Sequence, residues 1–163
     1  MYHIYLGIDP GKKGAVAYVT VEEGKTGIID MPLLEDGSPF SEELKNFILS
    51  SIKGFDLTKA LVIIEKQQSM HKQGVVSTFT TAYGYGKLIA TLEMMGIPFI
   101  EIRPAKWKKK LNLSKDKQQS VDLAHQLYPH ETYFGPRGGL LDGRAEAILM
   151  AYYGMSEIKK RDI

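Results

Sequence analysis

The chain has 163 residues, of which 44% are hydrophobic and 25% are charged, and this length suits one globular domain with a sizeable core. It contains no cysteine, which excludes disulfides, thiolate chemistry and a cysteine-ligated zinc site. The formal net charge is only +2, so bulk charge alone does not indicate a nucleic-acid partner.

The start of the chain does not resemble a signal peptide. Tyr2 and His3 do not form a basic region, and the first apolar run breaks at Asp9. The longest apolar runs fall short of the roughly 20 residues that a membrane-spanning helix needs. We therefore expect a cytoplasmic protein without membrane association, and a single domain over residues 1–163 with no repeat or linker.

The first half of the chain predicts three strands, a helix and a fourth strand. The first three strands, which are close in sequence and therefore expected to form an antiparallel meander, cover residues 4–9, 14–20 and 26–31. Ser41 is a suitable N-cap for a helix whose apolar residues follow helical spacing to Ile52. Residues 60–64 form an apolar run that ends at Glu65, as expected for a central strand buried on both faces.

The second half of the chain alternates helices with a strand. It predicts a helix over 74–95, a strand over 98–102, helices over about 104–111 and 115–128, and a final helix from Leu141 or Asp142 to about Tyr153. Gly84 and Gly86 interrupt the long helix at a cost of about 1 kcal/mol each, which indicates close backbone packing. Asn112 to Ser114 provide the break and cap between the next two helices. This order predicts an α/β fold, with a mixed sheet flanked by helices on both faces.

Four acidic residues lie at the ends of these elements. Asp9 ends the first strand, Glu65 ends the fourth, and Asp142 and Glu146 lie one turn apart on the final helix. If strands one and four are parallel neighbours, the first two acids emerge at the sheet edge where α/β proteins place their sites. Clustered carboxylates repel unless a hard cation such as Mg²⁺ holds them. Two such ions about 4 Å apart suit phosphodiester hydrolysis.

Taken singly, each acid also has a purely structural interpretation. Asp9 would cap the turn that follows it, and Glu65 would be a solvated strand end. Asp142 would be the N-cap of the final helix, and Glu146 would be a surface residue. The placement of all four at element ends is harder to explain in this way.

Basic residues are concentrated in one stretch. Seven of them lie between Arg103 and Lys117, with Asp116 as the single acid, whereas the rest of the chain is acidic on balance. Such segregation on a near-neutral protein is typical of phosphate binding, and a solvated helical face is the alternative. Lys12 and Lys13, in the turn after the first strand, add charge that is free to approach a phosphate.

Five segments, taken in order, resemble the RuvC family of Holliday-junction resolvases, and most closely its small phage-type members. They are LGIDPG, LVIIEKQQ, RPAKWKKKL, KDKQQSV and DGRAEAILMAYYG. The resemblance implies an RNase H-like fold and a homodimer. It also implies Mg²⁺-dependent nicking of two opposed strands of a four-way junction, with 5′-phosphate products, in DNA recombination and repair or in phage DNA processing.

By position, this resemblance assigns catalysis and metal binding to Asp9, Glu65, Asp142 and Glu146. It implies two Mg²⁺ ions per site, for which Mn²⁺ substitutes. Many members of the family carry two acids three residues apart in the last motif, whereas here they are four apart and the second is glutamate. Either spacing keeps both acids on one helical face.

The resemblance also implies a set of DNA contacts. Lys108 and Lys117 match DNA-contacting lysines of the family, and Met70 lies in a loop where family members present a residue at the junction centre. Trp107 is expected to be a packing residue rather than a base-stacking one. The whole set expected to contact DNA comprises Lys12, Lys13, Met70, Lys106, Lys108, Lys109, Lys115 and Lys117.

Other functions stay open at this point. A relaxed member of the family would cut forks and flaps as well as four-way junctions, and a YqgF-like nuclease would act on RNA. A non-catalytic junction-binding module is disfavoured, because four carboxylates without metal would repel phosphate. A nucleotide-binding domain of the sugar-kinase or actin type would need a second glycine-rich loop and a larger chain.

Overall fold

The computed structural model describes residues 1–54, 56–68 and 73–158. Its strands are β1 (Ile4–Asp9), β2 (Ala15–Thr20), β3 (Thr26–Asp30), β4 (Ala60–Glu65) and β5 (Phe99–Ile102). Its helices are α1 (Ser41–Ser51), α2 (Val75–Met95), α3 (Pro104–Lys110), α4 (Lys117–Leu127) and α5 (Asp142–Glu157). The predicted order of strands and helices is confirmed. Within the described residues, no helix combines the length and apolar character required to cross a membrane.

The five strands form one mixed sheet in the order β3-β2-β1-β4-β5. The first three strands pair antiparallel, whereas β1 with β4 and β4 with β5 are parallel. Ile8 pairs with Ile64, so the next residue of each strand, Asp9 and Glu65, lies at the same carboxyl edge. The predicted antiparallel trio followed by parallel strands is confirmed, and this edge is where α/β sheets place their sites.

Alternate side chains of the central strands fill two hydrophobic layers, one on each face of the sheet. Ile64 packs in the layer that contains α1 and α2. Tyr5 and Ile63 pack in the other layer, with α4 and α5. Side chains an even number of residues apart on a strand point to the same face of the sheet. Asp9 therefore lies on the same face as Tyr5, and Glu65 on the same face as Ile63, which is the face that α5 covers. Strand parity therefore decides which helix completes the site.

Helix α5 lies very close to the sheet, because glycines remove side chains at the contact. A Cβ placed on Gly7 would be 1.9 Å from the carbonyl oxygen of Ala147. A Cβ placed on Gly143 would be 2.2 Å from the carbonyl oxygen of Lys13. Both separations are shorter than any van der Waals contact allows, so only glycine fits at these two positions. This close approach brings the first turns of α5 to the edge of β1.

The start of α1 and the end of α5 differ from the sequence prediction. The N-cap of α1 is Phe40 and not Ser41, which is already helical. The Phe40 N–H donates to the carbonyl of Pro32, and its carbonyl accepts from Leu44, so the backbone starts the helix one residue early. Helix α5 continues to Glu157 because its buried surface against the sheet extends beyond the predicted end.

Two further local predictions are corrected. The cap of α4 is Asp116, whose carboxylate accepts the Gln118 N–H at 2.9 Å, rather than the 112–114 segment. That segment does provide the break, because Asn112 has a left-handed backbone with φ of 56°. The prediction of close backbone packing at Gly86 is wrong, because among the described residues nothing would lie within 4 Å of a Cβ at that position.

Candidate metal centre

Three of the four predicted acids come together at the sheet edge. Asp9, Glu65 and Glu146 each offer a carboxylate oxygen, and these oxygens lie within 4.8 Å of one another. The last residues of β1 and β4 supply two of them, and the second turn of α5 supplies the third. Glu65 and Glu146 are each only 9% exposed. Carboxylate oxygens of this kind are the ligands that hard divalent cations prefer.

The fourth acid, Asp142, lies at the rim and not in this group of three. It is the first residue of α5, and Leu141 precedes it as the N-cap, so the capping interpretation of Asp142 is wrong. Its carboxylate accepts from Lys117 Nζ at 2.6 Å. Its negative charge nevertheless contributes to raising the pKa of Asp9. The surface interpretation of Glu146 is also wrong, since that side chain is buried.

Two lysines of the basic stretch contact the acids directly. Lys108 Nζ donates to Glu146 Oε1 at 2.5 Å, and the Lys108 side chain is only 16% exposed. Lys117 pairs with Asp142, and this hydrogen bond raises the pKa of Lys117. Both ammonium groups therefore lie beside the carboxylates, where they neutralise part of the negative charge.

Trp107 lies directly behind the carboxylate group. It is fully buried, which confirms that it is a packing residue. In addition, its indole Nε1–H donates to Glu65 Oε2 at 3.1 Å, and Lys108 Nζ lies 5.3 Å from the indole ring centre. The sequence does not indicate this hydrogen bond, because its partners are 42 residues apart and lie on different elements.

The electrostatics of the group favour a cation. Burial raises the pKa of Asp9 to about 8, and the charges of Glu65, Glu146 and Asp142 add to this effect. Lys108 opposes the shift but does not cancel it. Burial also raises the pKa of Glu65, although the Trp107 hydrogen bond lowers it. The donor set thus carries more negative charge than its lysines compensate, which fits a divalent metal ion.

The excess of negative charge around Asp9 predicts that the free energy of unfolding depends on pH in the absence of metal. Because the pKa of Asp9 is about 8 when folded and near 3.8 otherwise, the folded state binds more protons between these values. The contribution of Asp9 to the free energy of unfolding should therefore fall as pH rises from about 4 to 8. Asp9→Asn should remove this part of the slope and stabilise the metal-free protein at pH 8 by several kcal/mol, since a shift of about four pKa units at about 1.4 kcal/mol per unit sets an upper bound of about 6 kcal/mol.

Urea unfolding of both proteins at pH 5, 6, 7 and 8 in EDTA measures the difference. Titration of the histidines and of the carboxyl groups away from the site contributes equally to both proteins, so the wild-type minus variant slope isolates Asp9 together with the carboxylates coupled to it. Parallel stability curves for the two proteins would contradict the assigned environment of Asp9.

Most of the other predicted DNA contacts have described positions near the carboxylates. Lys108, Lys109 and Lys115 line a cavity of about 850 Å³ that opens beside Glu65. Lys12 and Lys13 line a second cavity of about 260 Å³, on the Asp142 side. Lys106 is exposed on α3. Met70 lies outside the described residues. Basic side chains therefore lie on two sides of the acidic edge.

Sequence prediction did not include Arg103 among the DNA contacts. Arg103 and Lys66 also line the larger cavity, together with Gln67 and Gln68. Arg103 is the first residue of the RPAKWKKKL segment. Its position in the sequence does not distinguish a DNA-contacting arginine from a solvent-exposed residue at the start of a helix. The parallel pairing of β5 with β4, in which Ile102 lies opposite Glu65, places Arg103 at the same carboxyl edge of the sheet.

Comparison with known proteins identifies the fold. No family model matches the chain, and no curated protein matches its sequence. The structure is similar to that of Thermus thermophilus RuvC in complex with a Holliday junction substrate, with a TM-score of 0.58, 15% identity, and coverage of 93% of this chain and 94% of that chain. A second Thermus thermophilus RuvC structure matches with a TM-score of 0.55 and 15% identity over 93% and 95% of the two chains. The chain therefore has an RNase H-like fold of the RuvC type.

Proposed function

We propose that this protein is a metal-dependent, structure-selective endonuclease that resolves Holliday junctions by paired nicks. The observation that carries the proposal is the group of three carboxylates at the shared edge of β1 and β4, completed by α5. A fold like that of RuvC bound to a Holliday junction substrate supports junction DNA as the substrate. The enzyme would act in DNA recombination and repair, or in phage DNA processing, within the bacterial cytoplasm.

The metal ligands in this proposal are Asp9, Glu65 and Glu146, with Asp142 contributing from the rim. The preferred cation is Mg²⁺, two ions per site, with Mn²⁺ as a substitute, because carboxylate oxygen donors suit both ions. When bound, such ions would activate water and neutralise charge on the phosphodiester. The proposed products carry 5′-phosphates, as the resemblance to the RuvC family implies. The Glu65 and Glu146 carboxylates are largely buried, and the fully buried Trp107 donates a hydrogen bond to Glu65.

The lysines around this edge are proposed to bind phosphates, which positions DNA without reading its sequence. Lys108 and Lys117 lie nearest the carboxylates and would contact the strand that is cut. Lys109 and Lys115 would follow the strand along the larger cavity, with Lys106 on its outer side. Lys12 and Lys13, on the Asp142 side of the edge, extend the proposed set. Met70, which lies outside the described residues, completes it.

Paired nicking requires two sites, and we propose that they come from a homodimer with two-fold symmetry. An apolar face of α2 supports this. Val75, Val76 and Phe79 are 86%, 79% and 71% exposed, and Phe79 stacks on the half-exposed Tyr83. Large apolar side chains that cluster on a surface in this way are typical of an interface.

Sedimentation velocity should give twice the monomer mass, and Phe79→Asp should give the monomer.

Cleavage of a synthetic four-way junction tests the proposed function. With Mg²⁺, we expect paired nicks at opposed strands of the junction and no cleavage of a linear duplex of the same sequence. EDTA should abolish the reaction. Equal cutting of forks and flaps would indicate a broader branched-DNA nuclease, and cutting of RNA alone would indicate a YqgF-like activity. Absence of cleavage on all of these substrates would contradict a nuclease function.

A further inference from the structure

We propose that Trp107 is a positioning residue that holds the Glu65 carboxylate in its metal-binding orientation. This inference rests on the proposed function, because it concerns the same metal site. In this role a core residue acts through its indole N–H, which donates a hydrogen bond to a metal ligand.

The geometry of the hydrogen bond carries the inference. The indole Nε1–H donates to Glu65 Oε2 at 3.1 Å, and both side chains are buried. An indole N–H is a donor only, and when buried it needs an acceptor. A carboxylate has two oxygens with about four lone pairs, so Glu65 can accept from Trp107 and still bind a cation. The hydrogen bond therefore orients the Glu65 carboxylate and leaves lone pairs of its oxygens free to bind a cation.

Packing makes the indole a rigid support. Trp107 is fully buried in the layer formed by β4, β5, α4 and α5, where it contacts the same hydrophobic cluster as Ile63 and Ile102. A glutamate side chain has three rotatable bonds, and at the last residue of a strand its carboxylate is not fixed by neighbouring strands. A rigid donor 3.1 Å away restricts these rotations before metal binds.

The same indole also constrains the cationic neighbour of the site. Lys108 Nζ lies 5.3 Å from the ring centre while it donates to Glu146. Trp107 therefore contacts one carboxylate directly, that of Glu65, and also contacts the lysine that binds a second, that of Glu146. A cation over an indole face is held by the ring quadrupole. Trp107 thereby links Glu65 from β4 with the Lys108–Glu146 pair, which joins α3 to α5.

Removal of the indole N–H should weaken metal binding. Groups that hydrogen-bond to metal ligands typically contribute about 10- to 100-fold in metal affinity. Trp107→Phe keeps an aromatic ring in the core but has no donor, so its affinity for Mn²⁺, measured by titration calorimetry without DNA, should fall by about 10- to 100-fold. An affinity within about twofold of wild type would overturn the proposal.

A matched control separates this effect from general loss of core stability. Tyr133→Phe removes another buried hydrogen bond of 3.1 Å, from the Tyr133 hydroxyl to the Tyr128 carbonyl, away from the carboxylates. It should leave the Mn²⁺ affinity unchanged. An equal loss of affinity in Tyr133→Phe and Trp107→Phe would show that Trp107 acts through core packing, and this would overturn the proposal.

The second variant preserves the shape of the side chain. Trp107 is the one tryptophan of the chain, so growth with benzothienylalanine replaces it alone with a ring in which sulfur stands for the N–H. This protein should lose Mn²⁺ affinity as Trp107→Phe does. It keeps the test decisive even if Trp107→Phe folds poorly. Wild-type affinity in the benzothienyl protein would overturn the proposal.

A double-variant cycle identifies Glu65 as the group through which Trp107 acts. In a Glu65→Gln background, the residual Mn²⁺ affinity should be insensitive to Trp107→Phe, because the carboxylate that the indole orients is gone. An undiminished effect of Trp107→Phe in that background would overturn the assignment. If wild type itself binds no Mn²⁺, the proposed metal site fails and this inference fails with it, whereas wild-type affinity in both proteins altered only at Trp107 contradicts only the inference.

Discussion

Asp9→Asn is expected to abolish Mg²⁺-dependent cleavage of the four-way junction while junction binding is retained. The substitution keeps the size of the side chain but removes the charge of the carboxylate that ends β1. The rate should fall by about 10³-fold or more, equivalent to about 4 kcal/mol of transition-state stabilisation. Binding should stay equal or become tighter, because one negative charge near the DNA phosphates is removed.

Single-turnover cleavage and fluorescence anisotropy with the same labelled junction measure the two effects. Asp122→Asn is the matched control, because it makes the same chemical change on the exposed surface of α4, outside the carboxylate group. It should cleave at the wild-type rate. Cleavage by Asp9→Asn at a rate near that of wild type would remove Asp9 from the proposed metal ligands.

Gly7→Ala is expected to lower the free energy of unfolding by about 3 kcal/mol or more, the upper part of the range for an overpacked core. The added Cβ would lie 1.9 Å from the Ala147 carbonyl oxygen and 2.8 Å from the Ala151 nitrogen. Both atoms belong to the α5 backbone, which cannot move aside as a flexible side chain would. Helix α5 must shift away from β1 and carry Glu146 with it.

Urea unfolding of the variant gives the stability, and its Mn²⁺ affinity reports the position of Glu146. Gly86→Ala is the control on α2, where nothing among the described residues would lie within 4 Å of the new Cβ. There alanine should be neutral or stabilising by up to about 1 kcal/mol, because it favours helix. A Gly7→Ala protein as stable as wild type would contradict the close packing of α5 on the sheet.

Much of the fold follows from local sequence patterns. The apolar run over residues 60–64 predicts a buried strand, and β4 is that strand. The short spacing of the first three strands predicts their antiparallel pairing, as observed. Helix ends were less accurate because they depend on backbone contacts from elsewhere in the chain. Phe40, held by the Pro32 carbonyl, begins α1 in place of the predicted Ser41.

The sequence by itself determined the types of element and the identity of the acids, because periodicity and turn chemistry are local properties. The tertiary structure alone decided which acids meet. Glu146 joins Asp9 and Glu65, whereas Asp142, one turn earlier on the same helical face, pairs with Lys117 at the rim. That outcome depends on how closely α5 approaches β1 at Gly7, a distance that no periodicity encodes. The hydrogen bond from Trp107 to Glu65 likewise exists only because α3 packs against the end of β4.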